Sequence, residues 1–343
     1  MAGNPQVLRG ETSPSSWIAD GYAVALRGLI LPATSYFEPA FASANHKYSL
    51  MPLNDIAANM FYSSPLVRRL VAGPNSLRHW IKDKRQEKAL AMLSVLRARV
   101  TDDVVVSVPE FGGTFRMPTS SDVFRRICLD GCYEPALSSI AAKFLAPHRD
   151  AIDVGANIGF YSVLLSGKLA SGRVLAIEPN PKAYQRLQAN LQRNNGADKA
   201  ITFQGIAGAS LRRNTISFPL GMEEYTTVRS PQGEPSEPTK TRVEVDETTI
   251  DLLVQKHSLD PAFIKIDVEG YEYEVLQGAV RVIRTSRPVI LCELNDEMLR
   301  KHGSSSALLL EFFRSNGYRC TDPKFPKLQV GRRPTGDLLA FPE

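Results

Sequence analysis

One stretch, from Ala151 to Asn180, constrains the fold of this chain more than any other. It contains a short apolar strand, the turn Gly155-Ala156-Asn157-Ile158-Gly159, a helical stretch, and a second apolar strand that ends in Glu178. A glycine turn after the first strand and a carboxylate after the second are typical of a nucleotide-binding βαβ unit. The sequence therefore predicts an α/β fold organised around this unit.

The same alternation of strand and helix continues downstream. Short apolar runs predict strands at 151–154, 173–178, 201–206, 262–267 and 288–293. Amphipathic runs predict helices at 160–170, 181–194, 271–285 and 304–316. Buried strands joined by crossover helices form a doubly wound, mostly parallel sheet, which is the fold class we expect.

Shorter elements flank this alternation. A hairpin is predicted from the strands 104–108 and 113–117, and helices are predicted at 122–129 and 134–145. The prolines between 219 and 240 predict a loop or an excursion, followed by a short strand at 241–245 and a helix at 249–255. Two strand-like pieces, 318–321 and 336–341, predict a terminal hairpin at the sheet edge.

Residues 1–100 are expected to form an accessory region, mainly helical, and residues 101–343 the main domain. Leucines at three- and four-residue spacing predict a helix from Ser76 to Val100. The segment from Met60 to Arg99 contains nine Lys and Arg residues but only two acidic residues, Asp83 and Glu87. This basic region is expected to be a solvated helix face, a dimer contact, or a surface that binds the periphery of a membrane or an anionic carrier.

The composition places the chain among soluble globular proteins, with 43% hydrophobic and 22% charged residues. The sequence contains no run of about eighteen uncharged apolar residues, so no membrane-spanning helix is predicted. The apolar stretch Trp17–Phe37 carries charges and lacks a basic lead-in, so no secretory signal is expected. Four cysteines without metal-ligand spacing fit a reducing cytoplasm, which is the predicted location.

The glycine turn itself separates two classes of nucleotide. Dinucleotide-binding enzymes need a middle glycine so that the backbone can approach a pyrophosphate, and here that place holds Asn157. Asp153, two residues before the first glycine, would repel a pyrophosphate. A carboxylate suits the amino group and sulfonium of S-adenosylmethionine, and Glu178 suits ribose hydroxyls in either class.

A second acidic cluster lies more than a hundred residues downstream. The run Phe263-Ile264-Lys265-Ile266-Asp267-Val268-Glu269-Gly270 places three ionisable residues at the end of the fourth predicted strand. Ligands of open α/β sheets bind outside the carboxyl ends of the strands, so this cluster is expected to share the crevice of Asp153 and Glu178. Lys265 in a central strand needs an acidic partner, so its role is either a structural ion pair or catalysis.

These motifs together resemble the FkbM family of S-adenosylmethionine-dependent methyltransferases. The resemblance is carried by Asp153 to Gly159, by Glu178-Pro179 and by Ile264 to Gly270. Three flanking segments agree with it, namely Gly131-Cys132-Tyr133-Glu134, Thr248-Thr249-Ile250-Asp251 and Pro288-Val289-Ile290-Leu291-Cys292-Glu293. It covers about residues 103 to 343 and leaves the first hundred residues unexplained.

The resemblance implies a seven-stranded sheet with an antiparallel last strand, and O-methylation of a sugar, a lipid-linked glycan or a secondary metabolite. It further implies that Glu178 holds the cofactor's ribose and that Asp267 and Glu269 lie beside the transferable methyl group. The residues expected at the methionine end of the cofactor are Asp153, Gly155, Asn157 and Gly159. The third strand ends without the acid that related enzymes place near adenine, so no adenine contact is assigned.

The catalytic candidates are Asp267, Glu269 and Lys265, with Glu269 or Asp267 as general base for a hydroxyl acceptor. Glu269 has an alternative role in capping the following helix, and one or two carboxylates make no convincing metal site. A nucleic-acid methyltransferase is a rival because the chain is basic, but the base-methylating motif with two prolines is replaced by Asp267-Val268-Glu269-Gly270. A catalytically inactive cofactor-binding scaffold is the other alternative.

Overall fold

The structure is a computed structural model that describes residues 86–87, 90–91, 93–100, 103–219, 226–228, 240–325, 330 and 335–343. The chain divides into two compact units, residues 1–99 and 100–343. In the first unit the described residues between 86 and 99 are helical. The remainder of the predicted accessory region, with most of its basic residues, lies outside the described part, as does most of the predicted loop at 219–240.

The strands of the second unit follow the predicted order, with several additions. They are β1 (Val104–Val108), β2 (Gly113–Met117), β3 (Asp150–Val154), β4 (Val174–Ile177), β5 (Ala200–Phe203), β6 (Ile206–Ala207), β7 (Arg212–Pro219), β8 (Thr227–Val228), β9 (Lys240–Thr248), β10 (Pro261–Ile266), β11 (Val289–Asn295), β12 (Tyr318–Thr321) and β13 (Thr335–Pro342).

The helices of this unit alternate with the strands of the large sheet. They are α1 (Asp122–Asp130), α2 (Pro135–Phe144), α3 (Phe160–Lys168), α4 (Pro181–Arg193), α5 (Ile250–His257), α6 (Glu272–Gln277), α7 (Val280–Thr285), α8 (Asp296–Lys301) and α9 (Ser306–Ser315).

The large sheet has seven strands in the order β12-β13-β11-β10-β3-β4-β5. The strands from β11 to β5 are parallel, whereas β13 runs antiparallel to both β11 and β12. Strands β3, β4 and β10 are buried along their whole length, as expected for strands covered by helices on both faces. The predicted doubly wound, seven-stranded sheet with an antiparallel last strand is confirmed.

The prediction of one continuous third strand at 201–206 is wrong. Its first part is β5 at the edge of the large sheet, and its last residue begins β6, which pairs with β9 in a separate four-stranded sheet of order β6-β9-β7-β8. Gly205 stands at the break, where a Cβ atom would lie 2.6 Å from the backbone oxygen of Asp246. The chain therefore leaves the large sheet just where a ligand would meet it.

Other boundaries also differ from the predictions. The predicted strand 241–245 extends over Lys240–Thr248 because residues 240–247 pair with β7, which was not predicted, and Thr248 pairs with β6. The predicted helix 271–285 is divided into α6 and α7 at Gly278, where a Cβ atom would lie 1.9 Å from the backbone oxygen of Gly208. The small sheet therefore packs directly against this helix break.

The hairpin of β1 and β2 is fixed to α4 by two asparagine side chains. Asn190 accepts from the backbone N–H of Arg116 at 2.7 Å and donates to its carbonyl oxygen at 3.1 Å. Asn194, one turn later, makes the same pair of bonds with the backbone of Thr114, at 2.9 and 2.8 Å. The two amides therefore satisfy the open edge of β2 as a neighbouring strand would.

Candidate functional site

A cleft opens at the carboxyl ends of β3, β4 and β10, the position at which open α/β sheets bind ligands. Its floor includes Val154, Ile177 and the turn from Gly155 to Asn157. One wall comes from α1 and the start of α2, and another from the segment after β10. Its charged lining residues are Asp122, Arg126, Glu134, Glu178, Lys265, Asp267 and Glu269.

The floor of the cleft depends on the absence of a side chain at residue 155. Gly155 has a φ of 76°, in the left-handed region that favours glycine. A Cβ atom there would lie 1.8 Å from the backbone oxygen of Asp267. The close approach of these two backbones brings the ends of β3 and β10 together and places the two sequence motifs in one site.

Glu178 is buried at the end of β4 and joins the floor to the wall. Its Oε2 accepts from the backbone N–H of Asn157 at 2.7 Å, and its Oε1 accepts from that of Asn180 at 2.8 Å. Burial raises the pKa of Glu178 to about 7, although both amide hydrogen bonds act in the opposite direction. Glu178 therefore shapes the glycine turn as well as facing the cleft.

Asp153 and Lys265 occupy adjacent positions on β3 and β10. The Asp153 carboxylate is fully buried and accepts from the Ser162 hydroxyl at 2.6 Å, while its Oδ1 has no partner in the described structure. Burial raises the pKa of Asp153, and the charge of Lys265 partly offsets this effect. Asp153 lies behind the cleft lining, where it is an anion for Lys265.

Lys265 forms the predicted ion pair, with its Nζ 3.1 Å from Asp267 Oδ2. The same ammonium lies 4.8 Å from the centre of the Tyr161 ring. Burial lowers its pKa, but the charges of Asp267, Asp153 and Glu134 outweigh burial, so the net pKa is raised. Lys265 is therefore a fixed positive charge rather than a proton acceptor.

Glu269 is the acidic side chain with the fewest protein partners in the cleft. Its carboxylate accepts no hydrogen bond from the part of the chain that the structure describes, and its backbone is left-handed, with a φ of 52°. Burial and the charge of Asp267 raise its pKa to about 7, against the opposing charges of Lys265 and Lys301. The capping alternative does not hold, because Glu272 rather than Glu269 accepts from the backbone N–H groups of Val268 and Gly270, at 3.2 and 3.1 Å.

Glu293, at the end of β11, lies behind this acidic pair. Burial, followed by the charges of Asp267, Glu269 and Glu272, raises its pKa to about 10. The raised pKa favours the protonated form of Glu293. Glu293 belongs to a segment that carries the family resemblance, but no role was predicted for it from the sequence.

The cleft is also lined by Glu134, for which no role was predicted from the sequence. Glu134 precedes α2 with a left-handed φ of 47°, and its Oε2 accepts from the Tyr161 hydroxyl at 3.0 Å. Burial and the charge of Asp267 raise its pKa, while Lys265 lowers it. The guanidinium of Arg126 lies 4.9 Å from the ring centre of the adjacent Tyr133.

The structure thus brings most of the predicted site residues into one cleft. The residues that line it are Gly155, Asn157, Glu178, Lys265, Asp267 and Glu269. Gly159 lies behind the lining. It precedes α3 with a left-handed φ of 97°, and a Cβ atom at this position would contact Leu187 of α4. Tyr133, Glu134, Tyr161 and Arg126 belong to the cleft and were missed, although Tyr133-Glu134 stood in a quoted motif.

Comparison with known families agrees with this geometry. Residues 153–320, a little under half of the chain, match the model of the methyltransferase FkbM domain. This part of the chain is similar to an FkbM methyltransferase domain. The match begins at Asp153 and includes the cleft residues from Gly155 to Glu269, and S-adenosylmethionine is the cofactor of such a domain.

Two curated relatives of the FkbM domain are methyltransferases. The hexuronic acid methyltransferase AglP of Haloferax volcanii is 32% identical over 140 residues, which cover 40% of this chain and 53% of AglP. The methyltransferase sdnD of Sordaria araneosa is 25% identical over 181 residues, which cover 46% of this chain and 67% of sdnD. The chain thus spans about half the length of AglP.

Among solved structures, the FkbM methyltransferase from Methylobacillus flagellatus aligns at 20% identity with a TM-score of 0.37. The alignment covers 64% of this chain and 55% of that chain.

The cleft fits S-adenosylmethionine on its own chemistry. The cofactor carries a sulfonium and an ammonium, and the lining holds more acidic than basic side chains. Glu178 suits ribose hydroxyls, since each of its oxygens retains capacity to accept beyond one amide bond. No group of three or more His, Cys, Asp or Glu is arranged to hold a metal ion in the part of the chain that is described.

Proposed function

We propose that this protein transfers the methyl group of S-adenosylmethionine to a hydroxyl group of a sugar, with a uronic acid unit as the first candidate acceptor. The observation that carries this proposal is the Glu269 carboxylate. It faces the cleft, it accepts no hydrogen bond from any described residue, and its pKa of about 7 suits a general base at neutral pH.

The chain's own residues divide the work between binding and proton transfer. Glu178 would hold the ribose of the cofactor at the end of β4, beside the turn from Gly155 to Asn157 that also lines the cleft. When bound, S-adenosylmethionine supplies a methyl group activated by its sulfonium. Because the donor carries this reactive group, the protein contributes mainly orientation, exclusion of water and removal of one proton.

Glu269 removes that proton in our proposal. The acceptor hydroxyl would donate to the Glu269 carboxylate and give it its proton, while the oxygen would bond to the methyl carbon of the donor. The methyl carbon–sulfur bond would break in the same step, and S-adenosylhomocysteine would be the leaving group. Asp267, whose Oδ2 lies 3.1 Å from Lys265 Nζ, is the neighbouring acid that, after burial, raises the pKa of Glu269. Lys265 acts as a positioning residue, because it stays protonated throughout.

A sugar acceptor is supported by the relative AglP, a hexuronic acid methyltransferase that is 32% identical over the matched region. The acceptor has to be tested directly, because AglP extends well beyond the matched part. The experiment is methyl transfer from labelled S-adenosylmethionine to a panel of uronic acids, neutral sugars, lipid-linked glycans and hydroxylated metabolites.

We expect label to appear on a hydroxyl oxygen, most strongly in the uronic acid group, and Glu269→Gln to lose this activity. The matched control is Glu297→Gln, an exposed carboxylate on α8 outside the cleft, which should retain full turnover. Label on nitrogen or carbon would overturn O-methylation, and turnover by Glu269→Gln equal to wild type would remove Glu269 as the base.

A further inference from the structure

Glu293 is a partly buried acid near the end of β11 that has no part in the function proposed above. Its Oε2 atom is sealed from solvent, and no N–H or O–H group of a described residue donates to it. Glu178 and Glu272, two other buried acids at this edge of the sheet, each accept from two backbone amides. Glu293 therefore lacks the donors that stabilise an ionised carboxylate at those two positions.

The register of the strands brings Glu293 beside Asp267. Strands β10 and β11 are parallel neighbours, and their last aligned pair is Ile266 and Cys292, so Asp267 and Glu293 follow one step later on adjacent strands. Burial and nearby acids raise the pKa of the Cys292 thiol, so this thiol adds no charge here.

The contact between these two acids requires a proton. The side chains of Glu293 and Asp267 form a hydrogen bond, and Glu269 and Glu272 lie close enough to act on Glu293 by charge. Two ionised carboxylates only accept hydrogen bonds, so one member of such a pair has to carry a proton. An ionised Glu293 would also add a buried negative charge to a position surrounded by other acids.

The cations around this position are paired with other acids. Lys265 Nζ lies 3.1 Å from Asp267 Oδ2. Strand β13 presents Asp337 opposite Glu293, and Lys324 pairs with Asp337 at 2.7 Å. The nearby helix α8 carries Lys301, which is paired with Glu297 at 3.4 Å. A proton rather than an ammonium group therefore balances the charge of Glu293.

We infer that Glu293 and Asp267 hold one proton between them, and that Glu293 is a positioning residue for the methyl transfer. Glu293 donates to Asp267 through this proton, while Lys265 holds Asp267 from the other side. The pair keeps its proton as Glu269 takes the proton of the acceptor hydroxyl. This inference rests on the proposed function, because it adds a residue to the same site.

The shared proton has a spectroscopic signature that does not depend on turnover. A protonated carboxyl group shows a carbonyl stretching band in the infrared that a carboxylate lacks. At about pH 8.5 the cleft acids with a pKa of about 7, Glu178 and Glu269, are mostly ionised. The difference spectrum between wild type and Glu293→Gln at this pH should show one protonated carboxyl group that the variant has lost. The absence of that band would overturn the inference.

The positioning role is tested by two substitutions that differ in one donor. Glu293→Gln keeps an N–H group that can donate to Asp267, whereas Glu293→Met has a similar length and no donor. We expect kcat at pH 7 to fall about tenfold or more in Glu293→Met, as for loss of a hydrogen bond to a charged group, and Glu293→Gln to recover most of this loss. The matched control is Glu297→Met, which removes an exposed carboxylate on α8 and should keep the wild-type kcat.

Thermal unfolding checks the folding of each variant, and Glu293→Gln carries the infrared test alone where Glu293→Met is unfolded. Equal kcat values for the two Glu293 variants would overturn the positioning role, because the donor would then make no difference. Turnover that is lost on chelation of divalent cations, with no infrared band, would place a metal ion where we place the proton and overturn the inference while the proposed function stands. A wild-type protein without methyl transfer would remove the proposed function, and the infrared band would still decide whether the proton is shared.

Discussion

At the scale of single residues, the chemistry of the site follows from how burial and neighbouring charge act on a few carboxyl groups. Glu178, Glu269 and Glu272 all have a pKa raised to about 7, and burial is the largest cause in each. Their partners differ: backbone amides bind Glu178 and Glu272, whereas Glu269 faces the cleft without a hydrogen bond from any described residue. That difference separates structural acids from the proposed base.

Part of this site could be predicted from the sequence, and the other part could not for a physical reason. Glu178, Lys265, Asp267 and Glu269 follow buried strands, so their place at the carboxyl edge of the sheet can be read from the sequence. Glu134 comes from a loop before α2, and its place depends on how α1 and α2 pack over the sheet. No local pattern encodes that packing, so no role for Glu134 could be predicted from the sequence.

The turnover of the protein should depend on pH through the ionisation of Glu269. Glu269 accepts a proton only when it is ionised, so kcat is expected to rise as pH increases through about 7, the pKa of its carboxyl group. Glu269→Gln should lose roughly 100-fold or more of kcat, the usual contribution of a general base. Rates measured from pH 5 to 9 check both points.

Binding of S-adenosylhomocysteine is the control for Glu269→Gln and should be nearly unchanged, because Glu269 serves the acceptor. A wild-type rate that is flat between pH 6 and 8, with chemistry rate-limiting, would contradict the role of Glu269 as base.

At the scale of elements, two close contacts hold the sheet edge in the form that the cleft needs. One joins the turn after β3 to the end of β10 through Gly155, and the other joins β2 to α4 through Asn190 and Asn194. The sequence predicted the hairpin and α4 but not the contact between them, because an asparagine on a helix has many alternative uses.

Replacement of Gly155 by alanine tests the first contact. The alanine would have to adopt a φ near 76° and would place its Cβ 1.8 Å from the Asp267 oxygen. We expect a loss of more than about 1–2 kcal/mol in the free energy of unfolding, the cost of the left-handed backbone alone. Affinity for S-adenosylhomocysteine should fall as well, because Asp267 is displaced.

Gly167→Ala is the matched control, since no atom lies within 4 Å of a Cβ at this helical position. Alanine there should raise the stability by up to about 1 kcal/mol. Equal urea midpoints for the two alanine variants would show that Gly155 is not constrained as described.

Replacement of Asn190 by alanine tests the second contact. It removes three hydrogen bonds, to the N–H and carbonyl of Arg116 and to the carbonyl of Ile158, and leaves backbone groups unpaired. We expect a loss of about 2–3 kcal/mol in the free energy of unfolding, from the desolvation of the orphaned groups. Gln185→Ala, at an exposed position on the same helix, is the control, and urea unfolding measures the difference in the free energy of unfolding between the two variants. Similar stabilities would contradict the strand-like role of Asn190.

At the scale of the whole molecule, the predicted doubly wound sheet is confirmed, and the prediction failed where the chain leaves that sheet. The strand 201–206 was read as one element because its apolar run is continuous. The structure breaks it at Gly205, since β6 gains a partner in β9 that lies about forty residues away in the sequence. Long-range pairing of this kind is not visible in local periodicity.

The accessory role of residues 1–100 stays a prediction. The basic region between Met60 and Arg99 lies largely outside the described residues, and its proposed contacts with an anionic carrier, a membrane surface or a second copy are untested. Among the described helices, none is long and apolar enough to cross a membrane.

The concentration of acids around the cleft has a consequence for the stability of the whole domain. Because the folded pKa of Glu272 is about 7, above its usual 4.5, the folded state holds a proton that the unfolded state has released. The folded state binds more protons between these values, so the stability falls as pH rises from about 4.5 to 7. Glu178, Glu269 and Glu274 act in the same direction.

Glu272→Gln should therefore reduce the loss of stability between pH 5 and pH 8, since the amide has no proton to release. The comparison is with Glu311→Gln on the exposed face of α9, which should unfold with the wild-type pH dependence. Parallel pH profiles of the melting temperature for all three proteins would contradict this account.

The most direct test of the central claim, that the cleft binds S-adenosylmethionine, is a calorimetric titration of S-adenosylhomocysteine into wild type and Glu178→Gln. We expect one site per chain with a Kd on the order of micromolar for the wild type, and binding weakened about tenfold by the loss of the ribose-binding charge. The absence of binding to the folded wild type at roughly millimolar ligand would contradict the assignment of the cleft.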